Sequence, residues 1–250
     1  MTGTFRIEDF AFSHVGNVRS QNEDSHFADG AAGVWVVADG MGGHTNGKLA
    51  SEALVAAVAA VRLPESIDEA CEVLAQAIHS ANTAIYGHAQ AEGVQMGTTV
   101  VALIVRGDEF AVLWAGDSRA YLQRDGVLVQ LTRDHTQVQE MVDRGLLDPA
   151  DVEDHPMKHV LSRAVGVQEA LEIDAIRDTM VSRDLFLLCS DGLYGVVGEA
   201  QIAQIMHERG MAAGEALIEA SLAAGAPDNV TVTLVGVNEP TLLVLNGASS

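Results

Sequence analysis

Four aspartates stand where short apolar runs give out. Residues 34–38 (VWVVA) lead into Asp39-Gly40, and residues 110–115 lead into Gly116-Asp117-Ser118. Residues 185–190 lead into Asp191-Gly192, while Asp228-Asn229 directly precedes the alternating run 230–237. An Asp-Gly at a strand end ordinarily makes a turn. Four such ends in one antiparallel system have a second use, because their carboxylates can converge on one edge. Converging carboxylates stay ionised only with something positive between them. The donors are all oxygen, with no Cys pair and no HExxH, which selects Mg²⁺ or Mn²⁺ over Zn²⁺. EF-hand spacing is absent, which argues against calcium in that mode. A carboxylate-bridged metal pair suits hydrolysis of a phosphate ester: it lowers the pKa of a shared water and neutralises phosphoryl oxygens.

The elements that must position these acids are legible in outline. Residues 5–12 and 34–38 read as strands. Residues 47–62 and 66–89 carry Ala, Leu and Val at helical spacing, separated by Pro64. A strand-rich block follows at 98–105, 110–115, 120–123 and 127–131, punctuated by Gly and Asp turns. Residues 134–157 are polar, broken by Gly145, Pro149 and Pro156, and read as an excursion that opens with a short helix. Strands are expected at 171–176 and 185–189, two helices over 199–224, and a last strand at 230–237. Strands, a helix pair, more strands and a second helix pair predict an α+β fold, with helices packed on antiparallel sheets. No linker or repeat divides the chain, so residues 1–238 read as one domain and 239–250 as a tail.

Six ordered segments carry a resemblance. They are Arg19-Ser20-Gln21-Asn22-Glu23-Asp24, Ala38-Asp39-Gly40-Met41-Gly42-Gly43, Gly97-Thr98-Thr99, Ala115-Gly116-Asp117-Ser118-Arg119, Ser190-Asp191-Gly192 and Pro227-Asp228-Asn229-Val230. Together they resemble the motifs of the metal-dependent protein phosphatases (type 2C, the PPM family) in their bacterial form, from about residue 10 to 237. The resemblance implies a β-sandwich of two packed antiparallel sheets flanked by helix pairs, in α-β-β-α layers. It implies Mn²⁺- or Mg²⁺-dependent dephosphorylation of phospho-Ser and phospho-Thr in proteins, by direct attack of a metal-bridging hydroxide. It also implies roles: Asp39 bridging two ions, the Gly40 carbonyl on one of them, Asp191 and Asp228 completing the set around the first ion, and Glu23 and Asp24 supporting the second ion, at least partly through water. Asp117 with Asp191 would hold a third, weaker ion, and Arg19 would clamp the substrate phosphate. Residues 134–157 correspond to the family's variable flap. Phosphorylated proteins, and a cognate Ser/Thr kinase whose work is reversed, are the partners this implies.

The sequence departs from the family in one place. Eukaryotic members carry a His after the Asp-Gly as the acid for the leaving alkoxide, and here Met41 stands there. His44 is the nearest substitute, with a metal-bound water as the alternative.

Rival chemistries fit less well. Residues 42–48 spell GxxxxGK, but Leu49 stands where a P-loop NTPase needs Ser or Thr for Mg²⁺. His155 and His159 are separated by Pro156, which disfavours a helix presenting both to zinc. Neither Cys71 nor Cys189 has an Arg six residues on, so the covalent Cys-x5-Arg phosphatase route is absent. A non-catalytic phosphatase-like module that binds phosphoproteins is the rival from another class, yet every matching acid is present.

Composition bounds the partners. With 35 Asp and Glu against 14 Lys and Arg, the formal charge is −21 over 250 residues, which argues against nucleic acid and anionic lipid as ligands. Two distant cysteines and an N-terminus without a basic-then-apolar stretch lead to the expectation of a cytoplasmic protein with no membrane segment. A monomer is the default expectation.

Overall fold

The structure, a computed structural model, describes residues 5–43, 45–152 and 154–239. Strand β1 (Arg6–His14) is followed by β2 (Ser25–Asp29), β3 (Val34–Ala38) and the two-residue β4 (Gly40–Met41). Helices α1 (Thr45–Ala59) and α2 (Ile67–Glu92) come next. Then come β5 (Gly97–Thr98), β6 (Val100–Arg106), β7 (Glu109–Ala115), β8 (Arg119–Arg124) and β9 (Val127–Gln130). Beyond the short α3 (Gln137–Asp143) lie β10 (Asp174–Thr179), β11 (Leu185–Cys189), α4 (Asp191–Tyr194), α5 (Glu199–Arg209), α6 (Ala213–Ala223) and β12 (Val230–Asn238).

One five-stranded antiparallel sheet has the order β1-β12-β11-β8-β9 and the other β10-β7-β6-β3-β2. Period-two alternation sorts their side chains into layers. In β3, Val34, Val36 and Ala38 pack with Leu54, Leu74 and Ile78 of α1 and α2, whereas Trp35 and Val37 face the other sheet. In β11, Leu185, Leu187 and Cys189 pack with Ile202 and Leu217 of α5 and α6, whereas Phe186 and Leu188 point inward. Both faces of each central strand are therefore covered, which is why they read as unbroken apolar runs. The α-β-β-α sandwich matches the expected architecture.

Details differ from the expectation. Strand β2 was not anticipated. The run 98–105 breaks at Thr99 into β5 and β6, and the strand expected at 171–176 begins three residues later, at Asp174. The two helices expected over 199–224 are present as α5 and α6. Residues 240–250 of the tail lie outside the described residues.

Antiparallel order places the acids. Because β3 and β7 both flank β6, their C-terminal ends share an edge with the start of β6; Val100 pairs with Ala115 there. In the other sheet Cys189 pairs with both Val232 and Arg119, so the end of β11 lies beside the starts of β12 and β8. The turn Gly116-Asp117-Ser118 joins β7 to β8 and so bridges the two sheets at this rim.

Candidate metal centre

Asp39 sits between β3 and β4 with its backbone held on both sides. Its N–H donates to Thr99 Oγ1 at 2.9 Å, and its carbonyl accepts from Thr99 N at 2.8 Å and Thr98 Oγ1 at 3.0 Å. The side chain is thus aimed by a rigid main chain. Gly40 follows because nothing larger fits: a Cβ there would lie 2.2 Å from Gly47 O and 2.6 Å from Glu23 O. The Glu23 carboxylate lies on the same side, its Oε2 packed against Gly47.

Asp24 is buried, and its Oδ2 accepts from Ser190 Oγ and Thr231 Oγ1, each at 2.7 Å. Behind Thr231 a relay continues through Ser13 Oγ at 2.7 Å to Asn22 Nδ2, which donates to Ser13 at 2.7 Å. Asp24 Oδ1 is buried with no hydrogen-bond partner among the described residues. Asp191 opens α4, beside Asp39 and Asp228 in the electrostatics of the rim. Asp228 Oδ2 accepts from Arg19 Nη2 at 2.6 Å, and its Oδ1 caps Asn229 N at 2.8 Å. Asp117 is buried, and its carbonyl accepts from Tyr194 Oη at 2.9 Å.

The electrostatics link these groups to one another. Burial, followed by the charges of Asp24, Asp191, Asp117 and Asp228, holds Asp39 well above the ordinary carboxylate range. Burial lifts Asp24 to about 7 against the help of Thr231 and Ser190, with Asp191 and Asp228 adding to the rise. Asp117 is pushed up to about 8 by burial and then by Asp191 and Asp134. Asp191 is raised by burial and by Asp228. Four carboxyls that resist ionisation through burial, with the Asp228 carboxylate acting on three of them, favour positive charge among them.

The residues fit a hard divalent ion on three observations. The donors are all oxygen, Asp24 Oδ1 is buried and unpartnered among the described residues, and Asp39 and Asp191 are carboxyls raised first by burial, with the charge of Asp191 further disfavouring ionisation of Asp39. Among the described residues no three His, Cys, Asp or Glu side chains already form a compact cage.

The remaining expected residues are placed as follows. Arg19 is 56% exposed at the mouth, paired with Asp228 and within the electrostatic reach of Glu23 and Asp191. Met41 packs its methyl against Gly97 and has no proton to give. His44 lies outside the described residues. Several residues without an assigned role in the sequence reading are structural keystones. Asn229 accepts from Glu23 N at 2.7 Å and donates to Val15 O at 2.8 Å and Gln21 O at 3.0 Å, fixing the loop that carries Arg19 and Glu23. Thr98, Thr99, Ser190 and Asn22 likewise lie inside the recognisable motifs, but their partners are remote in sequence.

Known proteins resemble this chain in sequence and fold. The family profile described as protein phosphatase 2C matches residues 13–224. The serine/threonine protein phosphatase PstP of Mycobacterium tuberculosis is 37% identical over 230 residues, covering 91% of this chain and 44% of PstP. The chain thus spans less than half the length of that relative. The serine/threonine phosphatase Stp of Listeria innocua is 33% identical, with 89% of this chain and 93% of Stp covered. Among solved structures, PppA, a regulatory component of T6SS in Pseudomonas aeruginosa, superposes with a TM-score of 0.88 at 36% identity, covering 94% of this chain and 99% of PppA. The catalytic domain of PstP in complex with two manganese ions gives a TM-score of 0.84 at 34% identity, covering 94% of this chain and all of that one. A shared fold, identities of 33–37% and near-complete coverage of this chain have one explanation: the chain belongs to the protein phosphatase 2C family.

Proposed function

We propose that the chain is a metal-dependent protein Ser/Thr phosphatase that hydrolyses phospho-Ser and phospho-Thr by direct attack of water on phosphorus. The observation that carries this reading is the rim that gathers the buried Asp24, whose Oδ1 has no partner among the described residues, with Asp39, Asp117, Asp191 and the Arg19-paired Asp228, the first four with raised pKa values. Asp39 is central to the cluster and would lie between two Mn²⁺ or Mg²⁺ ions. Asp191, Asp228 and the Gly40 carbonyl would serve one side, and Glu23 and Asp24 the other. Asp117 and Asp191 would hold a third, weaker ion. When bound, such ions lower the pKa of a water they share and neutralise phosphoryl charge, which is the main obstacle in monoester hydrolysis.

The chain's own residues do the positioning. Thr98 and Thr99 lock the Asp39 main chain, so its carboxylate loses little entropy when it takes up a cation. Once the charge of Asp228 is taken up, the Arg19 guanidinium is left with phosphate oxygens as its anionic partner, and its planar fork matches two of them. A phosphoenzyme route through cysteine is disfavoured, because Cys189 is buried and burial pushes its thiol far above its ordinary range. The natural substrates would be proteins phosphorylated by a Ser/Thr kinase, whose signal the enzyme reverses.

The test is phosphate release from a phosphothreonine peptide with Mn²⁺, with and without chelator. Release that depends on Mn²⁺ and returns when the metal is restored supports the reading. Folded protein that releases none favours a phosphoprotein-binding module.

A further inference from the structure

The segment between β9 and β10 leaves the sheet and returns to it, and its two ends are zipped into a neck. Thr136 and Leu161 form an isolated antiparallel bridge. Ser162 N donates to His135 O at 2.9 Å, and Gln137 N donates to Val160 O at 2.8 Å. The returning strand continues to Val165, which exchanges backbone hydrogen bonds with Thr98 at 2.9 and 2.8 Å.

At this neck His135 grips Gly116, the residue just before Asp117, from both sides. Its backbone N–H donates to Gly116 O at 2.9 Å, and its Nδ1 accepts from Gly116 N at 3.1 Å. An Nδ1 that accepts carries no proton, so the proton of the neutral ring is on Nε2. Nε2 then donates to Asp174 Oδ2 at 3.2 Å, and Arg163 Nη1 donates to Asp174 Oδ1 at 2.6 Å. Arg163 Nη1 also lies 3.3 Å from Nε2, but two donors do not bond each other. The Trp114 indole stacks on the imidazole with interplanar angle 13°, so the ring is fixed in plane as well as in tautomer. Gly116 has little freedom of its own: φ is +116°, and a Cβ there would meet Thr99 Cβ at 2.6 Å. Thr99 is the residue that holds Asp39 N.

We propose that His135, as its Nε2–H tautomer, is a positioning residue that ties the neck of the flap to the Asp117 turn, so that cation binding at Asp117 and ordering of the flap are one linked equilibrium. The proposal rests on the metal-centre reading above. Linkage is reciprocal: a cation at Asp117 steadies the neck, and a substrate that orders the flap tightens that cation. Asp174 on β10 and Arg163 on the returning strand are part of the same device, because they hold the ring in the tautomer that Gly116 needs.

The experiment is Mn²⁺ titration calorimetry with hydrogen exchange of α3 and the neck, on the full chain and on His135→Ala, His135→Asn, Asp174→Asn and Asp39→Asn. Asn at 135 keeps an acceptor for Gly116 N, whereas Ala does not. In the wild type, saturating Mn²⁺ should slow exchange in α3. His135→Ala should weaken the weakest Mn²⁺ site about tenfold or more, the scale of lost outer-shell partners, and abolish the Mn²⁺ effect on α3. His135→Asn should restore the site to within about threefold, a rescue that a merely space-filling role would not give. Should His135→Ala fail to fold, Asp174→Asn decides, since Asp174 is 45% exposed and its loss frees the ring without opening the core. Unchanged weak-site affinity and unchanged α3 exchange in the Asp174 and His135 variants overturn the proposal while leaving the metal centre standing. Undiminished Mn²⁺ binding in Asp39→Asn would instead overturn the metal centre, and the proposal with it.

Discussion

At the scale of single residues, the site is defined by carboxyls that are reluctant to ionise. Asp24 at about 7 and Asp117 at about 8 both stand above the ordinary 3.8. A folded pKa above the unfolded one contributes stability that is complete below about pH 4 and is lost as pH rises through 7 to 8. Metal-free protein should therefore lose stability between about pH 5 and 9, and Asp117→Asn should flatten that loss. Thermal melts in chelator check this, and a variant slope equal to the wild type's would contradict it. Each kcal/mol relieved should raise Tm by about 2–4 °C for a domain of this size. Behind Asp24, Thr231→Val removes one of two donors to a buried carboxylate without changing shape. It should cost about 1–3 kcal/mol in denaturant unfolding of the metal-free protein at a pH above 8, where Asp24 is charged. An unchanged midpoint would show that Thr231 does not support Asp24.

Elements decide whether these residues meet. Asn229, 4% exposed at the start of β12, holds three backbone groups of the loop that carries Arg19 and Glu23. Asn229→Ala should destabilise the fold by about 1–3 kcal/mol and raise KM for a phosphopeptide more than it lowers kcat. A fall in kcat with KM unchanged would place Asn229 elsewhere in the mechanism. Gly192 is a sharper case, since a Cβ would lie 1.8 Å from Asn229 O and push α4 away from β12, separating Asp191 from Asp228. The same elements show what the sequence could reveal. β3 and β11 were legible because both faces are covered, which leaves an unbroken apolar run. Ser25–Asp29 was not, since it is an edge strand of half-buried, mostly polar residues whose pairing with β3 carries no local signature. Aspartates at strand ends announced the candidate site. Their supports did not, because Ser190 and Thr231 reach Asp24 across 166 and 207 residues. A hydroxyl's partner is set by topology, not by its neighbours in the chain.

Across the whole molecule the acid excess is mostly a solvated surface. Two divalent ions would change the formal charge only from −21 to −21 + 4 = −17. Long-range repulsion of a phosphoprotein would therefore persist, and on the proposed reading the metal centre with Arg19 would supply a local attraction. Salt screens the first more than the second, so kcat/KM for an acidic phosphopeptide should hold or rise with ionic strength. A steep fall would mean that the attraction is long-range and the charge is distributed differently. No helix among the described residues is long and apolar enough to cross a membrane. The central claim is that the five-aspartate rim binds the ions that drive hydrolysis. Its most direct test is to measure Mn²⁺ binding and phosphate release together for wild type and Asp39→Asn. The wild type should bind at least two Mn²⁺ and release phosphate, while the variant should remain folded, lose the tight pair and release none. An Asp39→Asn protein that binds Mn²⁺ and releases phosphate like the wild type would contradict the claim.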